Sequence, residues 1–188
     1  MDLIELYKER FADLSDKGNV HTYVQDYYSE EFFMPQRIKN VLEIGVQGGG
    51  SVMMWHEWFP VANVIGLDVD PNAMDQYIEN KGDLEYERLT VRIEDAYTQE
   101  SLDTFKDNFF DYIIDDGPHS FESQEYAVKY YLRKVRPGGK LIIEDIANKS
   151  YFEPLLAAAD PDLVANHKNI ILNVAQRSDD MIFEITRR

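Results

Sequence analysis

Residues 40–51 read Asn40-Val41-Leu42-Glu43-Ile44-Gly45-Val46-Gln47-Gly48-Gly49-Gly50-Ser51, a short apolar run that breaks into glycine. A run of this length, bounded by a turn signal, reads as a buried strand. The glycines beyond it permit a tight turn and a close approach of backbone to ligand. The turn is not a dinucleotide fingerprint. Gly45 and Gly50 match the outer positions of G-x-G-x-x-G, but Gln47 replaces the middle glycine that lets a pyrophosphate approach. Nor is it a phosphate-binding P-loop, since no G-K-[ST] follows.

Outward from this turn the same rhythm repeats. Apolar runs Asn63–Asp68, Leu89–Ile93, Phe110–Asp116 and Lys140–Asp145 follow the first, Asn40–Gly45, and each ends at, or just before, an acid or a glycine. Between them lie amphipathic stretches of helical length, Val52–Phe59, Pro71–Asn80, Gln99–Asn108 and Glu122–Val135. Continuous apolar strands alternating with helices predict a parallel sheet covered on both faces. After a further helical piece, Tyr151–Ala159, come two closing strands, Asn169–Val174 and Met181–Thr186. Only Ala175 to Asp180 joins them, too short for a parallel crossover, so they form an antiparallel hairpin. Before residue 36, Leu3, Ile4, Leu6, Tyr7, Phe11 and Leu14 share one helical face, and Tyr23 to Phe33 reads as a second helix. The expected fold class is α/β: a doubly wound Rossmann-like sheet with a C-terminal antiparallel hairpin and N-terminal helices. Residues 1–188 are expected to form one domain, with 1–35 a helical cap and 36–188 the core.

Composition narrows the function classes. No cysteine is present, so disulfides, thiolate catalysis and cysteine zinc sites are excluded. The formal charge of −16, from 35 acids against 19 bases, disfavours nucleic acid as a partner, because neutralising phosphates needs Lys and Arg. No apolar run reaches membrane-spanning length, and the N-terminus lacks the basic start of a signal peptide. A cytoplasmic location is expected, and a homo-oligomer is left open.

In doubly wound sheets ligands bind beyond the carboxyl ends of the strands. Glu43, two residues before Gly45, suits a ligand with a cationic amine. Asp68, at the end of the second run, is placed to accept two ribose hydroxyl hydrogen bonds; Asp70 before Pro71 reads as a helix cap. Asp95 is offered to an adenine amino group. Runs four and five end Asp115-Asp116-Gly117-Pro118-His119 and Glu144-Asp145, on strands expected about 4.8 Å apart. Such crowded carboxylates need a cation or protons to relieve their repulsion, and oxygen donors favour Mg²⁺ or Mn²⁺. His119 reads either as a base beside that ion or as a turn residue capping the helix from Phe121.

The glycine turn, Asp68 and Asp95 follow in the order and spacing of S-adenosylmethionine enzymes, and the sheet with its closing hairpin resembles class I methyltransferases. More specifically, the chain resembles the metal-dependent sugar O-methyltransferases of the mycinamicin and macrocin type. The resemblance rests on Asp16-Lys17-Gly18 with His21 and Tyr23, on Leu42-Glu43-Ile44-Gly45-Val46 with Gly49-Gly50-Ser51, and on Trp55 and Phe59-Pro60. It continues through Gly66-Leu67-Asp68, Asp115-Asp116-Gly117-Pro118-His119 and Glu144-Asp145. It implies S-adenosylmethionine bound by Glu43, Gly45, Gly49, Ser51, Asp68, Asp95 and Asp115. It also implies a metal held by Asp116, Glu144 and Asp145, with His119 and Asp116 catalytic and His119 the base. The acceptor would be a hydroxyl of a sugar or similar small molecule; a catechol-type O-methyltransferase and a non-catalytic cofactor-binding module are the alternatives. Neighbouring strand residues face opposite ways, so Glu144 and Asp145 can share one ion only where the strand breaks. Pro118 departs from the Ser common in that family and stiffens the turn before His119.

Overall fold

The computed structural model describes residues 1–172 and 180–188. Its strands are β1 (Asn40–Ile44), β2 (Asn63–Asp68), β3 (Leu89–Ile93), β4 (Phe110–Asp115), β5 (Val135–Ile143), β6 (Val164–Ile171) and β7 (Met181–Arg187). They form one sheet in the order β3-β2-β1-β4-β5-β7-β6, parallel from β3 to β5, with β7 antiparallel to both β5 and β6. The doubly wound plan with its closing hairpin is as expected. Asn173 and Val174 of the expected strand and residues 175–179 of the expected turn lie outside the described residues.

Alternation along the central strands sends successive side chains to opposite faces. Ile114, Ile142 and Ile182 join one apolar layer, while Ile113, Leu141, Ile143 and Ile185 join the other. The first layer is closed by the N-terminal helices. Leu3–Leu6 (α1), opened by an Asp2–Glu5 capping box, continues through a wider turn, Tyr7–Phe11. Val24–Tyr28 likewise runs into Ser29–Glu31 (α2). Tyr28 and Phe32 lie 4.9 and 5.3 Å, centroid to centroid, from Trp55 of α3 (Gly50–Trp58). Edge-to-face packing of this kind stabilises beyond area burial alone.

Three boundaries differ from the sequence expectation. Gln99–Asn108 is helical only over Gln99–Asp103, because Phe105 turns into the core and Asn108 adopts a left-handed conformation. β5 starts at Val135 rather than Lys140. Val135 pairs with Phe110, the chain bulges through Arg136–Gly139, and regular pairing resumes at Lys140. β6 starts at Val164 rather than Asn169; it is an edge strand exposed along most of its length, so no apolar pattern marks it. No helix among the described residues is long and apolar enough to cross a membrane.

Two glycines let the loops over the sheet meet. Gly45 has φ +85°, and a Cβ there would lie 1.9 Å from the Asp116 carbonyl oxygen. A Cβ on Gly50 would lie 2.0 Å from the Leu14 carbonyl oxygen, so the N-terminal segment reaches the glycine turn only because that side chain is missing. Gly50→Ala is therefore expected to cost about 1–3 kcal/mol, read as a lowered urea midpoint; an unchanged midpoint would refute the contact. A second expectation concerns His56, whose ring nitrogens are buried without a hydrogen-bond partner among the described residues. Burial lowers this imidazole from 6.5 to about 4, and Arg88 adds to the shift. The unfolded chain takes up a proton that the folded one refuses, so stability is lost as pH falls from about 6.5 towards 4. His56→Leu should gain in urea midpoint over the wild type on going from about pH 7.5 to about pH 5. A gap that stays constant across that range would contradict the assignment.

Candidate active site

A cleft of about 860 Å³ opens over the carboxyl ends of β1, β2 and β4. This is within the usual size of a small-molecule or cofactor site. The turn after β1 supplies Gly45, Val46, Gln47, Gly50 and Ser51 to its wall; Asp68 and Asp95 supply the next two strand ends. Asp116, His119 and Asp145 form the opposite part, with Asp16 and Lys17 from the N-terminal segment.

Asp68 does not wait for a ligand with both oxygens free. Its Oδ2 accepts the N–H groups of Val46 and Gln47 at 2.8 Å each, and its Oδ1 accepts Asp70 N–H at 2.9 Å. A carboxylate has about four acceptor positions, so one remains for a hydroxyl rather than the two expected. The aspartate thereby staples the glycine turn as well as facing the cleft. Asp70 caps α4 (Pro71–Lys81) as expected. Asp95 is exposed and accepts Tyr97 N–H at 2.9 Å.

Glu43, Gly49 and Asp115 are expected cofactor residues that do not line the cleft. Glu43 is fully buried, accepting Trp55 Nε1–H at 2.9 Å and facing Lys17 Nζ at 3.3 Å. Burial pushes it up to about 7 against the pull of Lys17. Asp115 is buried, accepts the Tyr97 hydroxyl at 2.5 Å, and is likewise pushed by burial up to about 7. In both, the side chain follows the strand's alternation into the interior rather than toward the strand end.

Asp116, His119 and Asp145 come together, with one ligand atom of each within 4.8 Å of the others. Asp116 Oδ1 lies 3.1 Å from His119 Nε2, and Asp145 Oδ2 lies 3.4 Å from His119 Nδ1. Both His119 and Asp145 take left-handed backbone conformations, at φ 56° and 52°. Strained residues of this kind gather at functional sites. The helix from Phe121 is capped by Ser120, whose side chain accepts Ser123 N–H, so the capping role open to His119 falls to its neighbour. Burial would lower His119, but the hydrogen bond and charge of Asp116 outweigh it and hold the imidazole above its ordinary value. Burial raises Asp145, whereas on Asp116 the ammonium of Lys17 overcomes burial and the carboxyl stays below its ordinary range.

Glu144 lies outside this group. β5 ends at Ile143, and the break turns Asp145 to the cleft while leaving Glu144 fully buried, bonded to Lys17 Nζ and to the Tyr28 hydroxyl. Lys17 is the residue that sequence reasoning passed over. It appeared only as part of the Asp16-Lys17-Gly18 motif, and nothing in its local pattern announces burial. Its side chain is 2% exposed and reaches Asp116 Oδ2 at 2.6 Å as well as Glu43 and Glu144. His21 and Tyr23 are also buried, behind Asp145 rather than in the cleft wall. Tyr23 donates to Asp145 Oδ1, and His21 Nδ1 lies 2.6 Å from Asp180.

Comparison with known proteins gives this geometry a family. The chain is 31% identical over 159 residues to 8-demethyl-8-alpha-L-rhamnosyl tetracenomycin-C 2'-O-methyltransferase of Streptomyces olivaceus, covering 79% of this chain and 39% of that protein. It is 32% identical over 172 residues to mycinamicin VI 2''-O-methyltransferase of Micromonospora griseorubida, covering 85% of this chain and 39% of the relative. The chain thus spans about two fifths of the length of these two relatives. Among solved structures, the MycE methyltransferase of the mycinamycin biosynthetic pathway, in complex with Mg and SAH, superposes with a TM-score of 0.69 at 23% identity. That match covers all of this chain and 55% of MycE, and at such identity it speaks for the fold alone. Residues 42–146, more than half of the chain, match the methyltransferase domain family, and the chain belongs to that family.

Proposed function

We propose that the protein transfers a methyl group from S-adenosylmethionine to a hydroxyl of a sugar or polyol-like small molecule, with a divalent cation, Mg²⁺ or Mn²⁺, at Asp116 and Asp145. The convergence of Asp116, His119 and Asp145 beside the glycine turn, in one cleft, carries this reading. The sugar-modifying names of the relatives support the acceptor class. We take residues 1–188 as one methyltransferase domain, with 1–35 its helical cap.

The residues fit both groups. Gly45, Ser51, Asp68 and Asp95 supply a glycine-walled cleft with carboxylates spaced along it for a nucleoside. Asp116 Oδ1 and Asp145 Oδ2 both face His119, while their other oxygens are bonded inward to Lys17 and Tyr23. Two carboxylates with ligand oxygens within 4.8 Å of each other suit a small hard cation that keeps several waters. When bound, the cofactor supplies an electrophilic methyl group and the cation lowers the pKa of a nearby hydroxyl. With a cation competing for Asp116 Oδ1 and Asp145 Oδ2, one ring nitrogen of His119 is freed to take the hydroxyl proton, while a carboxylate kept at the other nitrogen stabilises the resulting imidazolium. Asp116 and Asp145 hold the ring, and the strained turn aims it into the cleft.

Transfer of tritiated methyl to a panel of monosaccharides and catechols should favour the sugars; a preference for catechols would move the reading to the catechol type. Excess EDTA should abolish transfer and added Mg²⁺ restore it, and undiminished turnover in EDTA would remove the cation. His119→Ala should lower kcat by about 10²–10⁴-fold with little change in S-adenosylhomocysteine affinity by calorimetry. Near-normal turnover of that variant would remove His119 as the base.

A further inference from the structure

The N-terminal segment supplies the inward anchors of the acidic cluster. Lys17 Nζ meets carboxylates from three strand ends: Glu43 of β1, Asp116 after β4 and Glu144 after β5. Tyr28 donates to Glu144 and Tyr23 to Asp145. As a result Asp116 and Asp145 each have one oxygen fixed inward and one facing His119. Lys17 sits among the three carboxylates and opposes their mutual repulsion. Glu43 and Glu144 are held inward at this ammonium, and neither lines the cleft.

We propose that Lys17 is a positioning residue that does two separable things: its charge limits how strongly the site attracts a divalent cation, and its ammonium geometry fixes the Asp116 carboxylate against His119. This rests on the proposed cation site at Asp116 and Asp145. The charge part follows from distance. An ammonium 2.6 Å from Asp116 Oδ2 opposes any second cation held by the same carboxylate. The geometric part follows from the split use of Asp116, since Oδ1 keeps its place 3.1 Å from His119 Nε2 only while Oδ2 is held. A guanidinium is longer and planar and cannot reproduce a three-way ammonium contact in a buried space.

The two parts are tested on the full chain with Mn²⁺ alone as the probe, by paramagnetic titration at about pH 8, and with methyl transfer measured alongside. Lys17→Met should bind Mn²⁺ roughly tenfold more tightly while kcat falls by about 10²-fold. Lys17→Arg should bind Mn²⁺ like the wild type but share the loss in kcat. Loss of fold weakens both properties together and so cannot give this split. Near-ultraviolet circular dichroism identifies an unfolded Lys17→Met, and Lys17→Gln, which also removes the charge but keeps a polar group in the buried space, then takes its place with the same two expectations. A folded Lys17→Met that binds Mn²⁺ no more tightly than wild type overturns the charge role, and a variant with near-normal kcat overturns the positioning role. Wild-type protein that binds no Mn²⁺ and turns over in EDTA overturns the cation site instead, and the charge role of Lys17 with it; kcat of Lys17→Met then decides the positioning role alone.

Discussion

Carboxylates buried at the ends of parallel strands, met by one buried ammonium, are the constraint around which this protein is arranged. Glu43, Asp116 and Glu144 leave three different strands and converge on Lys17. Isolated carboxylates in such a place would be protonated or would open the structure to water. The cluster resolves the conflict unevenly. Asp116 stays below its ordinary range because Lys17 lies beside it, while burial raises Glu43 and Glu144 despite the same lysine.

That arrangement ties the N-terminal helices to the chemistry. The segment carrying Lys17 is brought in over Gly50, where no Cβ stands between it and the glycine turn. Its aromatic continuation, Tyr28 and Phe32, packs on Trp55, and Trp55 in turn donates to Glu43. One layer therefore does the work of a core and of a support for the site. Tyr23 and His21 extend the support to Asp145, and through Asp180 to the start of β7. The outward oxygens of Asp116 and Asp145 are left to His119 and the cleft.

Much of the sheet was legible because it follows local rules. Buried parallel strands are continuous apolar runs, and β2 and β3 fall where those runs fall. β6 was misplaced because an exposed edge strand buries too little to need an apolar pattern; Lys168 reaches Glu31 and Glu184 instead. The start of β5 was hidden by Pro137-Gly138-Gly139, which reads as a turn and is in fact a bulge between two paired stretches. In the site, Asp116, His119 and Asp145 were legible from their place at adjoining strand ends. Glu43 and Asp115 were read as facing the ligand, but side-chain direction on a strand depends on register with neighbours that the local sequence does not show.

By itself the sequence determined the order of strands and helices, the glycine turn and the gathering of acids at one edge of the sheet. These depend on periodicity and on residues adjacent in the chain, and they survive without knowledge of distant contacts. Only the tertiary structure decided which acids face the cleft and which cation they meet. Lys17 is 99 positions from Asp116 and 127 from Glu144, and its burial is set by packing across the whole domain. The division of labour between Glu144 and Asp145 is tertiary too: β5 ends at Ile143, and past that end Asp145 takes a left-handed backbone conformation, so that Glu144 turns to the buried lysine and Asp145 to His119.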